Sequence, residues 1–324
     1  MNRLKLASLA LVSAMAVLAV PALAQTFPDK PITVIVPFPP GGASDTTARA
    51  VAAKLQESIG QPVVVENRPG ANGATGAALL KRAKPDGYTL LVGSIGVFAI
   101  NAALFPDLPY SPSKDFDLLS VVVRTPNVLV AHPAFPANTV AELVEYLKKN
   151  PGKVTFASSG NGSSDHLTAA LFWQKTGTSG IHVPYKGGGP AIADLIGGHA
   201  DVSFQNLGSV TSHIKAGKLK VLGVTAAERN PVFPDLPTLQ EAGVDGLVVY
   251  SWQAAAAPKD LPADVRKKLA EGLAGAAMSP EVAKRLADIG FDVVASSPEE
   301  FAKFQAEEEA RWRKVVADGK ISAN

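Results

Sequence analysis

The chain has 324 residues, 47% of them hydrophobic, 19% charged and only 6% aromatic, and it contains no cysteine. At roughly 100–200 residues per domain this length points to two domains with substantial cores; it excludes a disordered chain, a disulfide framework and thiolate metal sites. The formal net charge of +2 comes from Arg3 and Lys5, so the chain beyond residue 24 is balanced and has no basic field to hold a nucleic-acid backbone.

Residues 1–24 have the layout of an export signal. Arg3 and Lys5 open it, Leu6 to Val20 carries no charge, and Pro21 precedes the small-x-small pattern Ala22-Leu23-Ala24. The apolar run, about 15 residues, is shorter than the roughly 20 that a permanent membrane helix needs. The expectation is cleavage after Ala24 and a soluble protein in the periplasm.

Beyond the signal, β-branched runs alternate with helical patterns. The spacing predicts a strand at Ile32–Val36, a Pro/Gly turn, and a helix from Asp45 to Ile59. A strand at Val63–Glu66, a glycine-rich turn (Asn67 to Gly73), a helix to Ala83 and a strand at Tyr88–Val92 follow. After the Pro-rich interval Phe105–Pro112, strands are predicted at Val121–Arg124, Val128–Ala131, Val154–Ala157, Ile181–Val183, Asp201–Phe204 and Leu219–Val224. Helices lie between them at Val140–Lys149, Asp165–Lys175, Ala191–Ile196 and Ser209–Ala216. Beyond Arg229–Pro237 come a strand at Leu247–Ala254 and helices at Ala263–Ala277, Glu281–Ile289 and Glu299–Val316. Ser297 with Glu300, and Thr139 with Glu142, form capping boxes. This alternation predicts an α/β fold of mostly parallel sheets flanked by helices, in two lobes joined by two crossing strands as a hinge. The first lobe takes residues 25–124 and 225–324; the second takes 125–224.

Four strand-to-helix turns concentrate glycine and hydroxyl residues without clustered cations. Pro37 to Asp45 ends in Gly41-Gly42 and opens a helix whose first N–H groups lack partners, a ready carboxylate or phosphate site. Ala157 to His166, Val183 to Pro190, and Phe204 to Ser209 repeat the pattern. Facing each other from two lobes, such turns mark a cleft. Competing motifs fail: there is no complete dinucleotide fingerprint, no Walker sequence and no Gly-x-Ser-x-Gly elbow. Ser163, Asp165 and His166 are too close along one helical turn to form a nucleophile–base–orienter line. The five histidines show no metal-ligand spacing, and His182 reads as a strand residue.

The run Pro31-Ile32-Thr33-Val34-Ile35-Val36-Pro37-Phe38-Pro39-Pro40-Gly41-Gly42, with Asp45 and Ala48-Arg49, resembles the opening of the Bug/TctC solute receptors. Those are the extracytoplasmic solute-binding proteins of tripartite tricarboxylate transporters. Val63 to Gly73, Pro85 to Leu91, Ala157 to Gly162, His182 to Gly187, Pro237-Thr238 and Glu241-Ala242-Gly243 extend the resemblance over the mature chain. The chain departs from the family pattern at Gln253-Ala254-Ala255-Ala256-Ala257 and at Val202-Ser203-Phe204-Gln205. The resemblance implies a Venus-flytrap fold and a small carboxylated ligand bound between the lobes for membrane permease subunits. It gives the contact residues as Pro39, Gly41, Gly42, Ala43, Ser44 and Asp45 in the first lobe. In the second they are Ser158, Gly160, Asn161, Gly162, Ser163, Lys186, Gly187 and Asn206. No catalytic residue, metal or cofactor is expected, and the protein is expected to be a monomer. The alternatives are an exported hydrolase using Ser163 and His166, and a ligand-sensing subunit for a membrane signalling protein.

Overall fold

The computed structural model describes residues 27–319 and residue 321; the expected export signal and its cleavage site lie outside them. In chain order the first elements are β1 (Ile32–Val36), α1 (Ala43–Ile59), β2 (Val63–Asn67), α2 (Ala74–Arg82), β3 (Thr89–Ser94) and α3 (Asn101–Leu104). Next come β4 (Phe116–Ala131), α4 (Val140–Lys149), β5 (Thr155–Ser158), α5 (Ser164–Thr176), β6 (Ile181–Pro184), α6 (Gly188–Ile196), β7 (Val202–Asn206), α7 (Leu207–Lys215) and β8 (Lys220–Val224). β9 (Tyr250–Pro258), α8 (Ala263–Met278), α9 (Pro280–Ala287), β10 (Asp292–Val293) and α10 (Pro298–Gly319) complete it.

The strands form two sheets that share β4. The first lobe has the order β2-β1-β3-β9-β4, with β10 on the far edge of β4. The second has β6-β5-β7-β4-β8. Pairs among β1, β2 and β3 and among β5, β6 and β7 are parallel; every pair made by β4 or β9 is antiparallel. The expectation of parallel sheets thus holds for the outer strands, and the crossing strands make each sheet mixed.

β4 leaves the first sheet at Pro126, its last residue paired with β9, and enters the second at Asn127. Proline has no N–H for a ladder, so it is tolerated where one set of pairings ends. The chain returns at Thr225. Its N–H donates to the Asn127 carbonyl (2.8 Å), and its carbonyl accepts from Val249 N–H (3.1 Å). These bonds join the two crossings side by side. The segment 226–249, expected with the first lobe, lies against the second. Ala226 and Leu236 are buried with Val128, Val130 and Leu195, and Leu239 N–H donates to the Val224 carbonyl. Its side chains Ala226 and Leu236 thus find their burial on the second-lobe side of the crossing.

The C-terminal helix α10 closes the first lobe. Ser297 and Glu300 make the expected capping box, each side chain bonded to the other's N–H. Trp252 stacks on Phe98 at 6.0 Å, and its Nε1 donates to Glu308 of α10. Trp252 is therefore core packing, beneath the strand face that meets the cleft.

Candidate functional site

The turn after β1 is set by proline and glycine. Gly41 adopts φ +87°, a left-handed conformation that glycine enters without strain. Gly42 then caps α1 in extended conformation, with no side chain on the first N–H groups. Asp45 fixes this shape. Its carboxylate accepts from Gly41 N–H (3.1 Å), Arg49 Nε (3.0 Å) and Asn67 Nδ2 (3.0 Å). Burial alone raises a carboxyl's pKa, but the bonds from Arg49, Asn67 and Gly41 outweigh it and hold Asp45 below the usual range. Asp45, expected to touch a ligand, is instead committed to its own turn. Ser44 turns the other way and donates to Gln253 Oε1 on β9 at 2.6 Å.

The second lobe presents three more helix starts. At the β5–α5 turn, Ser163 Oγ accepts from His166 N–H (3.2 Å), and Asp165 accepts from Ser159 N–H (2.8 Å) and from the Ser159 and Ser164 hydroxyls. α6 opens at Gly188, and α7 opens after Asn206; neither has a side-chain cap. Asn206 Nδ2 donates to Asn127 Oδ1 at 2.6 Å, so this turn is tied to the crossing strand.

These four starts converge on one narrow cavity between the lobes. Of the expected residues, Gly42, Ala43, Ser44, Ser163 and Asn206 line it. Gly160, Asn161 and Lys186 line a neighbouring cavity, which shares Asn72 and Ser159 with the first. The rest frame the site. Ser158 Oγ is bonded to His182 Nε2 at 2.6 Å. Pro39 faces Gly187, where an added Cβ would lie 2.7 Å from the Pro39 ring. Gly162 faces Asn72 and Leu104, each 3.0 Å from a Cβ built there. The lobes thus touch on both flanks of the cavity, in a closed arrangement.

Sequence reasoning missed Asn72, Ser94, Ser251 and Gln253, all on the cavity wall; Gln205 and Ser209, also on it, belong to the Phe204–Ser209 turn but not to its expected contact residues. Ser94, Ser251 and Gln253 belong to strands, which carry none of the glycine and hydroxyl clusters that mark the four turns. The usable signal was Gln253, an amide at the head of a wholly buried alanine run.

The wall contains no Lys, Arg or His. The nearby His166 and His182 rings stack at 4.0 Å. Burial, and then the neighbouring His182, holds His166 down to about 3; burial holds His182 down to about 4. Both are neutral at pH 7. The hydrolase alternative does not hold. Ser163 Oγ is spent on a backbone cap, and His166 Nδ1 accepts from Gly162 N–H (3.2 Å), so no imidazole activates that hydroxyl.

Residues 47–320 match the family model of the tripartite tricarboxylate transporter family receptor, TctC. Protein BugT of Bordetella pertussis is 38% identical over 98% of both chains. A solved structure of a periplasmic transporter is 42% identical, with TM-score 0.89, and covers 92% of this chain and 100% of its own. R. palustris Rpa4515, solved with adipate, is 34% identical with TM-score 0.89 and covers 91% of this chain and 99% of its own. Helix starts aimed at a cation-free gap suit a receptor for small solutes rather than an enzyme, and the matched residues agree: this chain belongs to the TctC family of solute-binding receptors.

Proposed function

We propose that the protein is exported to the periplasm, loses residues 1–24, and captures a small carboxylated anion between its lobes for a tripartite membrane transporter. The observation that carries this reading is the convergence of four helix N-termini on a cavity without a cationic side chain. Each helix start offers unpaired N–H donors and roughly half a positive charge. Such ends are worth about 0.3–1 kcal/mol when exposed and up to about 2 kcal/mol when partly buried. Four of them sum to at most about 8 kcal/mol before the cost of association, so the hydroxyl and amide donors on the wall must supply part of the roughly −8 kcal/mol of micromolar binding. The adipate held by the R. palustris relative supports a carboxylate as guest.

Two crossings packed side by side at Asn127, Thr225 and Val249 supply the hinge about which the lobes would part and close. Titration calorimetry with a panel of di- and tricarboxylates tests the binding; heat from at least one member at micromolar concentration is expected. Release of the chain by osmotic shock, with Gln25 as its N-terminal residue, is the expected result for export. Co-purification with permease subunits from detergent-solubilised membranes tests the transport partner against a signalling protein.

A further inference from the structure

The second-lobe turn from Ser158 to Ser163 serves both cavities and the contact between the lobes. Ser159 and Ser163 line the narrow cavity, Gly160 and Asn161 line its neighbour, and Gly162 meets Asn72 and Leu104 of the first lobe. Two amides of this turn are held by imidazoles. Gly162 N–H donates to His166 Nδ1 at 3.2 Å. Gly160 N–H donates to Ser158 Oγ at 3.2 Å, and that hydroxyl lies 2.6 Å from His182 Nε2. The Gly160 carbonyl, the other acceptor near the Ser158 proton, is 3.4 Å away. The shorter bond takes the proton, so His182 Nε2 is an acceptor too.

Both bonds therefore need an unprotonated ring nitrogen. A proton on His166 Nδ1 sets one N–H against another, that of Gly162. The rings also lie parallel, with centroids 4.0 Å apart and 6° between their planes, so two imidazolium charges would repel in a buried place. Burial holds His182 down to about 4; burial, and then His182, holds His166 down to about 3. Charged groups on the surrounding elements have other engagements. Asp165 of α5 accepts from Ser159 and Ser164. Beyond β6, Tyr185 and Lys186 line the neighbouring cavity, and Tyr185 is bonded to Asp194 of α6. Asp201, just before β7, accepts from Thr155. On α10, which packs against α5, Arg311 pairs with Glu308, Arg313 with Glu309 and Lys314 with Asp318. Among the described residues no carboxylate acts on either ring.

We infer that His166 and His182 are positioning residues of this turn that make capture releasable by acid: neutral, they hold the Gly160 and Gly162 amides in the shape that meets the first lobe, and protonation undoes that shape. The inference adds a control to the capture reading above and rests on it. Its sign follows from linkage. A turn that has let go frees its imidazoles toward their ordinary value of 6.5. The loosened form thus takes protons first as pH falls, and the held form is lost progressively below that value.

Two measurements on the mature chain test it. The first needs no guest: nuclear magnetic resonance of protein labelled in histidine and glycine. Both rings should be neutral at pH 7, and the Gly162 amide should shift and lose exchange protection over the pH range in which His166 titrates. A Gly162 amide that stays unchanged while His166 titrates overturns the inference and leaves the capture reading standing. The second is calorimetry with adipate at pH 7 and pH 5. The parent's affinity should fall by about tenfold or more between them. In the double variant His166→Asn, His182→Gln, amide oxygens take the same two bonds and cannot titrate, so the ratio between the two pH values should be much smaller. The protonation of adipate and of Asp165 enters both ratios alike. Equal ratios in parent and variant overturn the inference. No heat with adipate at pH 7 counts against adipate as a guest, and the Gly162 titration then decides, as it does if the double variant fails to fold.

Discussion

The backbone of Gly189, in α6 of the second lobe, lies so close under the Pro40 carbonyl of the first that a Cβ on Gly189 would sit 2.4 Å from that oxygen. Backbone meets backbone here, so nothing flexible can yield. Gly189 is helical with an unexceptional φ, and alanine suits its own conformation. Gly189→Ala should therefore block closure without harming either lobe. Its melting temperature without ligand should match or slightly exceed that of the parent, since Ala replaces Gly in a helix at a gain of up to about 1 kcal/mol. Affinity for the best carboxylate should fall by about tenfold or more, and small-angle scattering should show no compaction on adding it. Unchanged affinity with normal compaction would show that the lobes do not need this contact.

Ser44 and Lys186 offer a test of what neutralises the guest. Ser44 lies in the first turn of α1, lines the cavity on which the four helix starts converge and donates to Gln253. Lys186 is the one cation among the expected contact residues, yet it lines only the neighbouring cavity. Hydrogen bonds to a charged group contribute about 1.5–3 kcal/mol. Ser44→Ala and Gln253→Ala should each weaken binding by roughly tenfold to a hundredfold on that basis. Lys186→Ala should change it by less than about threefold, the scale of an exposed, screened charge. Calorimetry on the three variants checks the order; a larger loss from Lys186→Ala would replace peptide dipoles with a lysine as the main counter-charge.

The βα order was legible because β-branched runs and helical periods alternate cleanly from Ile32 to Val224. β4 was not read as one strand. Pro126 looks like an interruption, whereas the structure uses it as the junction between two sheets. The four turns on the cavity were visible because glycine, proline and hydroxyl residues mark them in the sequence. The direction of a single side chain was not. Nothing local distinguishes Ser44, which meets β9, from Asp45, which turns back to Gly41; that depends on Asn67, a residue of β2. The strand residues Ser94, Ser251 and Gln253 join the site only because antiparallel β3–β9 pairing brings their ends to the cleft.

Thr225 carries the return crossing. It is fully buried; its hydroxyl accepts from Asn127 N–H at 2.9 Å and donates to the Val249 carbonyl at 2.5 Å. Thr225→Val keeps the shape and leaves the Asn127 N–H without its acceptor, a loss of about 1–3 kcal/mol. Denaturant titration should show a drop of that size, and Thr225→Ser should recover most of it because the hydroxyl returns. An undiminished stability in Thr225→Val would mean that the hinge does not depend on this bond.

Asp45 gives the turn a pH dependence whose sign can be worked out. Its native carboxyl is held below the ordinary value of 3.8 by Arg49, Asn67 and Gly41 against the opposing effect of burial. A depressed native pKa means that the unfolded chain binds the proton first as pH falls. The stabilisation from Asp45 is therefore complete above the ordinary carboxylate range and fades as pH falls through the native value. Asp45→Asn should lower stability at pH 7, and the gap between parent and variant should narrow below about pH 4. Guanidinium titrations at pH 7, 5 and 3 measure that gap directly, and other carboxylates cancel in the difference. Since Asp45 shapes the helix start from outside the cavity wall, Asp45→Asn should also weaken binding through Gly41 and Gly42, and the loss should be smaller than that of Ser44→Ala. A gap that stays constant or widens in acid would show that the carboxylate is not held in its charged form by this turn.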